Sequence, residues 1–196
     1  MGVEIPWTPD FPCNTSLGVS RELGPNPSYM ECVRIVVVCI LCSTFYGIVH
    51  DLVTAHMCVQ YFTVAHPWVF PSEEPVVMAL IWGVLATWWV GLILGVLLAL
   101  AARVGSRPGR TARQILPQVG ALLKIMGLCA LIAGLLGMTL SHLGFLQLTQ
   151  KTDRIPPEIW DGFFFDAFAH LASYFVGLVG GLVVVFNTWK LRSKSC

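Results

Sequence analysis

Five side chains able to bind a metal or carry a proton fall inside or at the edge of long apolar stretches of this chain: His50, Asp51, His142, Asp166 and His170. Imidazole and carboxylate together suit zinc, iron or copper, with histidines as direct ligands and a carboxylate either ligating or orienting a histidine through its other nitrogen. Asp166 and His170 are four residues apart and so share one helix face, which Tyr174 continues. His50 shares a ridge with Tyr46 and Thr54, next to the ridge that carries Asp51. His56 joins them if its helix continues far enough, whereas His66, just before Pro67, reads as a loop residue. The same five positions also read as a haem site, as a proton or ion path, or as an inert packed network in which Asp166 and His170 merely support a helix start. No sequence motif chooses among these, because HExxH, GxSxG, the phosphate loop and CxxCH are all absent. No residue is therefore assigned a catalytic role.

The elements that must hold these residues follow from composition. The 196 residues are 56% hydrophobic and only 12% charged, about half the roughly 25% charge of a soluble domain. The apolar residues gather in four blocks, each long enough for the roughly 20 residues that cross a hydrocarbon core as helix. The expected fold is all-α, a membrane-embedded up-down four-helix bundle with spans at about 33–56, 76–102, 118–142 and 160–189. Ser72-Glu73-Glu74-Pro75 marks the start of the second span, and Trp160 and Trp189 anchor the two ends of the fourth. Counting about 1.5 Å per residue from the basic ends puts His50 and Asp51 roughly 25 Å up the first helix and His142 roughly 34–38 Å up the third. The same count puts His170 and Asp166 roughly 28 and 34 Å up the fourth, so three helices deliver histidines to a similar depth.

Charge sets the orientation. The 103–118 loop holds Arg103, Arg107, Arg110 and Arg113 and no acid, and the 191–196 tail with Lys190 before it is also basic. Both belong in the cytoplasm, so the expected placement is a multi-pass protein of a bacterial inner membrane with both ends inside and the histidines toward the periplasm. Residues 1–32 are polar and proline-rich and read as a flexible cytoplasmic arm. Met30 offers a second start, which would make residues 1–29 a gene-model extension. The cysteines lie mostly within apolar blocks and read as packing material, the Cys39-x-x-Cys42 pair included. Nothing resembles a nucleic-acid surface.

Small residues at four-residue spacing mark helix contacts in a membrane: Cys39, Ser43, Gly47, Asp51 and Ala55 in the first span, and Gly83, Thr87, Gly91 and Gly95 in the second. Asp51 should thus point into the bundle, and Gly83, Gly91 and Gly95 could equally seat a second copy or a partner subunit. The third span carries Gly120, Gly127, Gly134 and Ser141, and the fourth Ala169, Ser173, Gly177 and Gly181. The run Tyr46-Gly47-Ile48-Val49-His50-Asp51-Leu52-Val53-Thr54-Ala55, followed by Cys58, Tyr61-Phe62-Thr63 and His66-Pro67, resembles the signature stretch of a family of small bacterial integral membrane proteins without an assigned activity. The stretch from Trp82-Gly83-Val84 to Gly109 resembles it too. That resemblance implies a four-span bacterial membrane protein, and it favours His50 and Asp51 over His56, whose position is often arginine in that family. Three functions stay open: a metal or haem protein, a small-solute, ion or proton transport component, and a non-catalytic accessory subunit docked through its glycine stripes.

Overall fold

A computed structural model of the chain describes residues 27–67, 69–148 and 155–192. Most of the expected arm, residues 1–26, and the tail beyond 192 lie outside these. Among the described residues there is no strand. In order come α1 (Pro27–Met57), α2 (Val59–Val64), α3 (Pro75–Leu85), α4 (Trp88–Arg103), α5 (Ala112–His142), a single 3-10 turn at Pro157–Ile159 and α6 (Trp160–Arg192). Four stretches are long and apolar enough to cross a membrane: Ser28–Met57, Pro75–Arg103, Ala112–His142 and Pro157–Arg192. The chain is a four-helix transmembrane bundle.

The helices differ from the sequence expectation in three places, each with a local cause. α5 begins at Ala112 rather than near Pro117, because Thr111 and Gln114 form a reciprocal capping box ahead of it and Pro117 is carried inside the helix. α1 begins at Pro27, and Glu31 in its second turn accepts a 2.7 Å hydrogen bond from the Ala112 amide, joining the starts of α1 and α5. The second span is broken at Ala86–Thr87. There the Thr87 hydroxyl donates back to the Gly83 carbonyl, a bond that bends helices, and Ser43 of α1 donates to the Thr87 carbonyl at 2.7 Å.

Residues facing lipid and residues facing the bundle alternate along α1 at helical spacing. Leu41, Phe45, Val49 and Val53 are exposed on one ridge, while Cys39, Gly47, Asp51 and Ala55 are buried on another. Glycine sets the closest approaches. A Cβ on Gly83 would lie 2.6 Å from the Ile48 Cα, and one on Gly91 would lie 2.8 Å from the Cys39 carbonyl oxygen and from the Ile40 Cα. Gly83, Gly91 and Gly95 of the second span therefore pack against α1 of the same chain. In the other half, Gly134 and Gly137 admit Phe165 and Phe168 of α6. The bundle thus consists of two close-packed halves, α1 with α3–α4 and α5 with α6, which touch each other less extensively.

One end of the bundle is tied by arginine. Arg192, only 2% exposed, directs its guanidinium at four carbonyls, those of Ala101, Val104, Arg107 and Pro108, at 2.8–3.0 Å. It caps the last turn of α4, where the helix dipole favours a cation. Arg192 is thus the buried last residue of α6 and not part of a free tail.

Candidate metal centre

At the opposite end, α1 delivers His50 and Asp51 and α6 delivers His170. Each of the three offers one ligand atom, and those atoms lie within 4.8 Å of one another. Two local features bring α1 and α6 together here. Asp51 occupies the small-residue ridge of α1, so it turns inward. Gly162 near the start of α6 leaves its face bare against the end of α1: a Cβ there would stand 2.6 Å from the Met57 carbonyl oxygen. Cys58, extended at φ −156°, ends α1 at that contact and turns the chain into α2. α2 then lays Tyr61 and Phe62 against the His170 ring at centroid distances of 4.7 and 5.6 Å.

His170 is held at both ring nitrogens. Its Nδ1 donates to the Asp166 carbonyl at 2.8 Å, and a carbonyl can only accept, so Nδ1 carries a hydrogen. Its Nε2 faces the Asp51 carboxylate at 3.3 Å, and both residues are 5% exposed. Between a nitrogen lone pair and a carboxylate there must be either a proton or a cation, since two acceptors so placed repel. With metal bonds near 2.1 Å, neighbouring ligands of a tetrahedral ion lie about 3.4 Å apart. His170 and Asp51 already stand at that separation. His50 lies farther out and would close by up to about 1.5 Å to complete the triangle. Its Nε2 is buried without a hydrogen-bond partner among the described residues. The His50 ring stacks on Tyr46 at 5.7 Å and meets the edge of His170 at 4.6 Å. Tyr46 in turn bonds Ser173 of α6 at 2.8 Å, so the ring wall spans both halves.

Of the five residues expected from sequence, three meet and two do not. His142 is 77% exposed in its side chain and pairs with Asp161 at 3.0 Å, away from the cluster. Its helix turns Ser141 inward instead, the last member of the small-residue series. Asp166 is fully buried, but its carboxyl oxygens have no partner among the described residues, and it serves the cluster through its backbone carbonyl. His56 lies on the exposed side of α1, where its Nδ1 returns to the Leu52 carbonyl at 2.6 Å. His66, expected in a loop, folds back over the site: its ring lies 4.8 Å from Trp82, 5.0 Å from Tyr61 and 6.5 Å from His170. The aromatic pair Tyr61-Phe62, ending four residues before it, was the available signal. Cys58 does not join the ligand group, and burial pushes its thiol up to about 11.

The cluster closes one end of a cavity of about 570 Å³ that lies between the two halves of the bundle. Three donors from the protein, aromatic walls and an adjoining space are what a metal centre with open coordination positions requires. Comparison with protein families, curated proteins and solved structures finds no match to this chain.

Proposed function

We propose that this chain is a membrane-embedded metalloprotein whose His50, Asp51 and His170 hold one transition-metal ion at the polar end of the inter-helix cavity. The observation that carries this reading is the meeting of two imidazoles and a carboxylate from two separate spans, with His170 and Asp51 at ligand-edge separation and the free Nε2 of His50 beside them. Ionisable groups at such depth are costly and persist where they have a partner or a task. Two histidines and one carboxylate suit zinc, iron or copper, and with further positions open they match the grouping used by non-haem iron. The Asp166 carbonyl supports the arrangement by fixing the ring orientation and tautomer of His170.

Haem is a poorer fit, because the edge-to-face contact of His50 and His170 leaves no room for a porphyrin between the rings. Placing the arginine-rich end in the cytoplasm sets the centre just beneath the periplasmic face of a bacterial inner membrane. Its chemistry would then be hydrolytic or redox work on a membrane or periplasmic substrate reaching the open positions.

The test is elemental analysis of protein purified without chelator, joined to titration with Co²⁺ as a visible probe. The expected result is one metal ion per chain and cobalt ligand-field bands that disappear in Asp51→Asn and in His170→Ala. Wild-type protein without bound metal and without cobalt bands refutes the reading.

A further inference from the structure

The cavity is much larger than an ion and its waters need. Its 570 Å³ lies within the roughly 300–1,000 Å³ of small-molecule sites. At about 30 Å³ for each water-sized unit, it takes on the order of 20 non-hydrogen atoms. Its shape is long: it follows α1 from Cys39 to Asp51 and α6 from His170 to Val185. Those stretches correspond to about 18 and 22 Å of helix.

The histidines and the carboxylate are confined to one end. There stand His50, Asp51 and His170, with Tyr46 and Ser173 beside them. Toward the arginine end the walls are Leu94, Leu98, Val119, Leu122 and Val185. The hydroxyls midway along, Ser43 and Thr87, donate to the backbone carbonyls of Thr87 and Gly83 and so do not ask for a ligand. At the polar end the buried Nε2 of His50 does lack a partner among the described residues.

We propose that the cavity receives one single-chain amphiphile, with its oxygen-bearing head at His50 and His170 and its chain running between α4 and α6 toward Val185. A two-chain phospholipid carries roughly twice the tail atoms this volume holds. Two sources share the required chemistry, a long-chain fatty acid and a quinol whose isoprenoid tail is short, roughly two units for this volume. The inference rests on the metal-centre reading for what the head would meet, an open coordination position. The long apolar chamber with a polar end is independent of the ion.

The experiment uses palmitic acid analogues carrying a photoreactive diazirine either next to the carboxyl group or near the chain terminus. They are photolysed on the purified full chain in lipid nanodiscs, with and without Co²⁺, and the labelled residues are mapped by peptide mass spectrometry. The head-proximal probe should label α6 around Ser173 and Tyr174, and the terminal probe should label the Val184–Val185 region and Leu98. Val185→Trp should abolish the terminal labelling and leave the head-proximal labelling in place. Displacement by unlabelled palmitate assigns a fatty acid, displacement by a short-chain quinol assigns an isoprenoid, and displacement by neither overturns the proposal. It is equally overturned if both probes label the lipid-facing Leu171, Phe175 and Leu182 regardless of diazirine position, or if the labelling runs in the reverse order. Ordered labelling without cobalt bands refutes the metal centre alone, whereas cobalt bands without ordered labelling refute the chamber alone.

Discussion

Exchanging Asp51 for asparagine tests the centre at its most informative atom. The two side chains are nearly the same size, so the inward ridge of α1 stays packed. With Nδ1 of His170 carrying the hydrogen it gives to Asp166, the ring's Nε2 is an acceptor, and the asparagine amide can donate to it across the present 3.3 Å. The metal-free variant should therefore fold, with stability equal to wild type or slightly above it, since a buried charge is costly to desolvate. Metal separates the two. Wild-type protein at a metal concentration 100 times its Kd gains about 2.7 kcal/mol. For a chain of this size each kcal/mol moves the melting temperature by about 2–4 °C, which makes the expected rise about 5–11 °C. Loss of a group that only orients a ligand costs 10–100-fold in affinity, so loss of the anionic ligand itself should cost at least about 100-fold. At the same metal concentration the variant then gains only about 0.4 kcal/mol, a shift of about 1 °C. The assay is thermal melting of the detergent-solubilised chain with and without added Zn²⁺. Equal shifts in wild type and Asp51→Asn would refute the assignment of Asp51, and the absence of a shift in wild type would refute the centre.

His142→Ala and Asp166→Asn should leave cobalt binding intact, because His142 is paired with Asp161 on the outside and the Asp166 carboxyl does not join the ligand group; loss of the cobalt bands in either would place those side chains in the centre. Gly91→Ala places a Cβ 2.8 Å from the backbone of α1 and should cost about 1–3 kcal/mol in melting experiments. Gly120→Ala meets nothing within 4 Å and should stabilise by up to about 1 kcal/mol through helix propensity. Arg192→Met leaves four carbonyls without their cation and should cost several kcal/mol at about 1.5–3 kcal/mol for each bond to a charged group, read as a lower melting temperature.

Depth and rotation were each legible only in part. Counting helical rise put His50, Asp51, His142 and His170 at similar heights, but His142 meets Asp161, nine residues before His170 on α6 and so about 13 Å farther along that helix; height alone also does not say which residues face one another. Where a small-residue ridge fixed the inward face, as for Asp51, the direction was readable. The same reasoning applied to the third span would have turned His142 outward, because Ser141 ends the ridge that begins at Gly120 and a neighbouring residue is rotated by about 100°. The break at Thr87 had no proline or glycine to announce it. It follows from a hydroxyl that bonds its own helix and a carbonyl that Ser43 takes up from α1, and pairing across 44 residues is tertiary information. The position of His66 over the site depends likewise on the turn at Cys58, which the contact with Gly162, far along the chain, makes possible.

The location of the cluster also explains why binding there should be felt by the whole bundle. His50 and Asp51 belong to the half built from α1, α3 and α4, while His170 belongs to the half built from α5 and α6. Within each half, glycine faces bring helices into backbone contact; between the halves lies the long chamber. At the arginine end the halves are joined by Arg192, which reaches from α6 to the last carbonyls of α4. At the other end the direct polar links between α1 and α6 among the described residues are the Asp51–His170 pair and the Tyr46–Ser173 hydrogen bond. An ion drawing His50 inward onto that pair would add a third tie between the halves at the polar end of the chamber. Metal occupancy and chamber occupancy should therefore be coupled, each altering the affinity for the other by the same factor, as linkage requires of any two ligands on one protein.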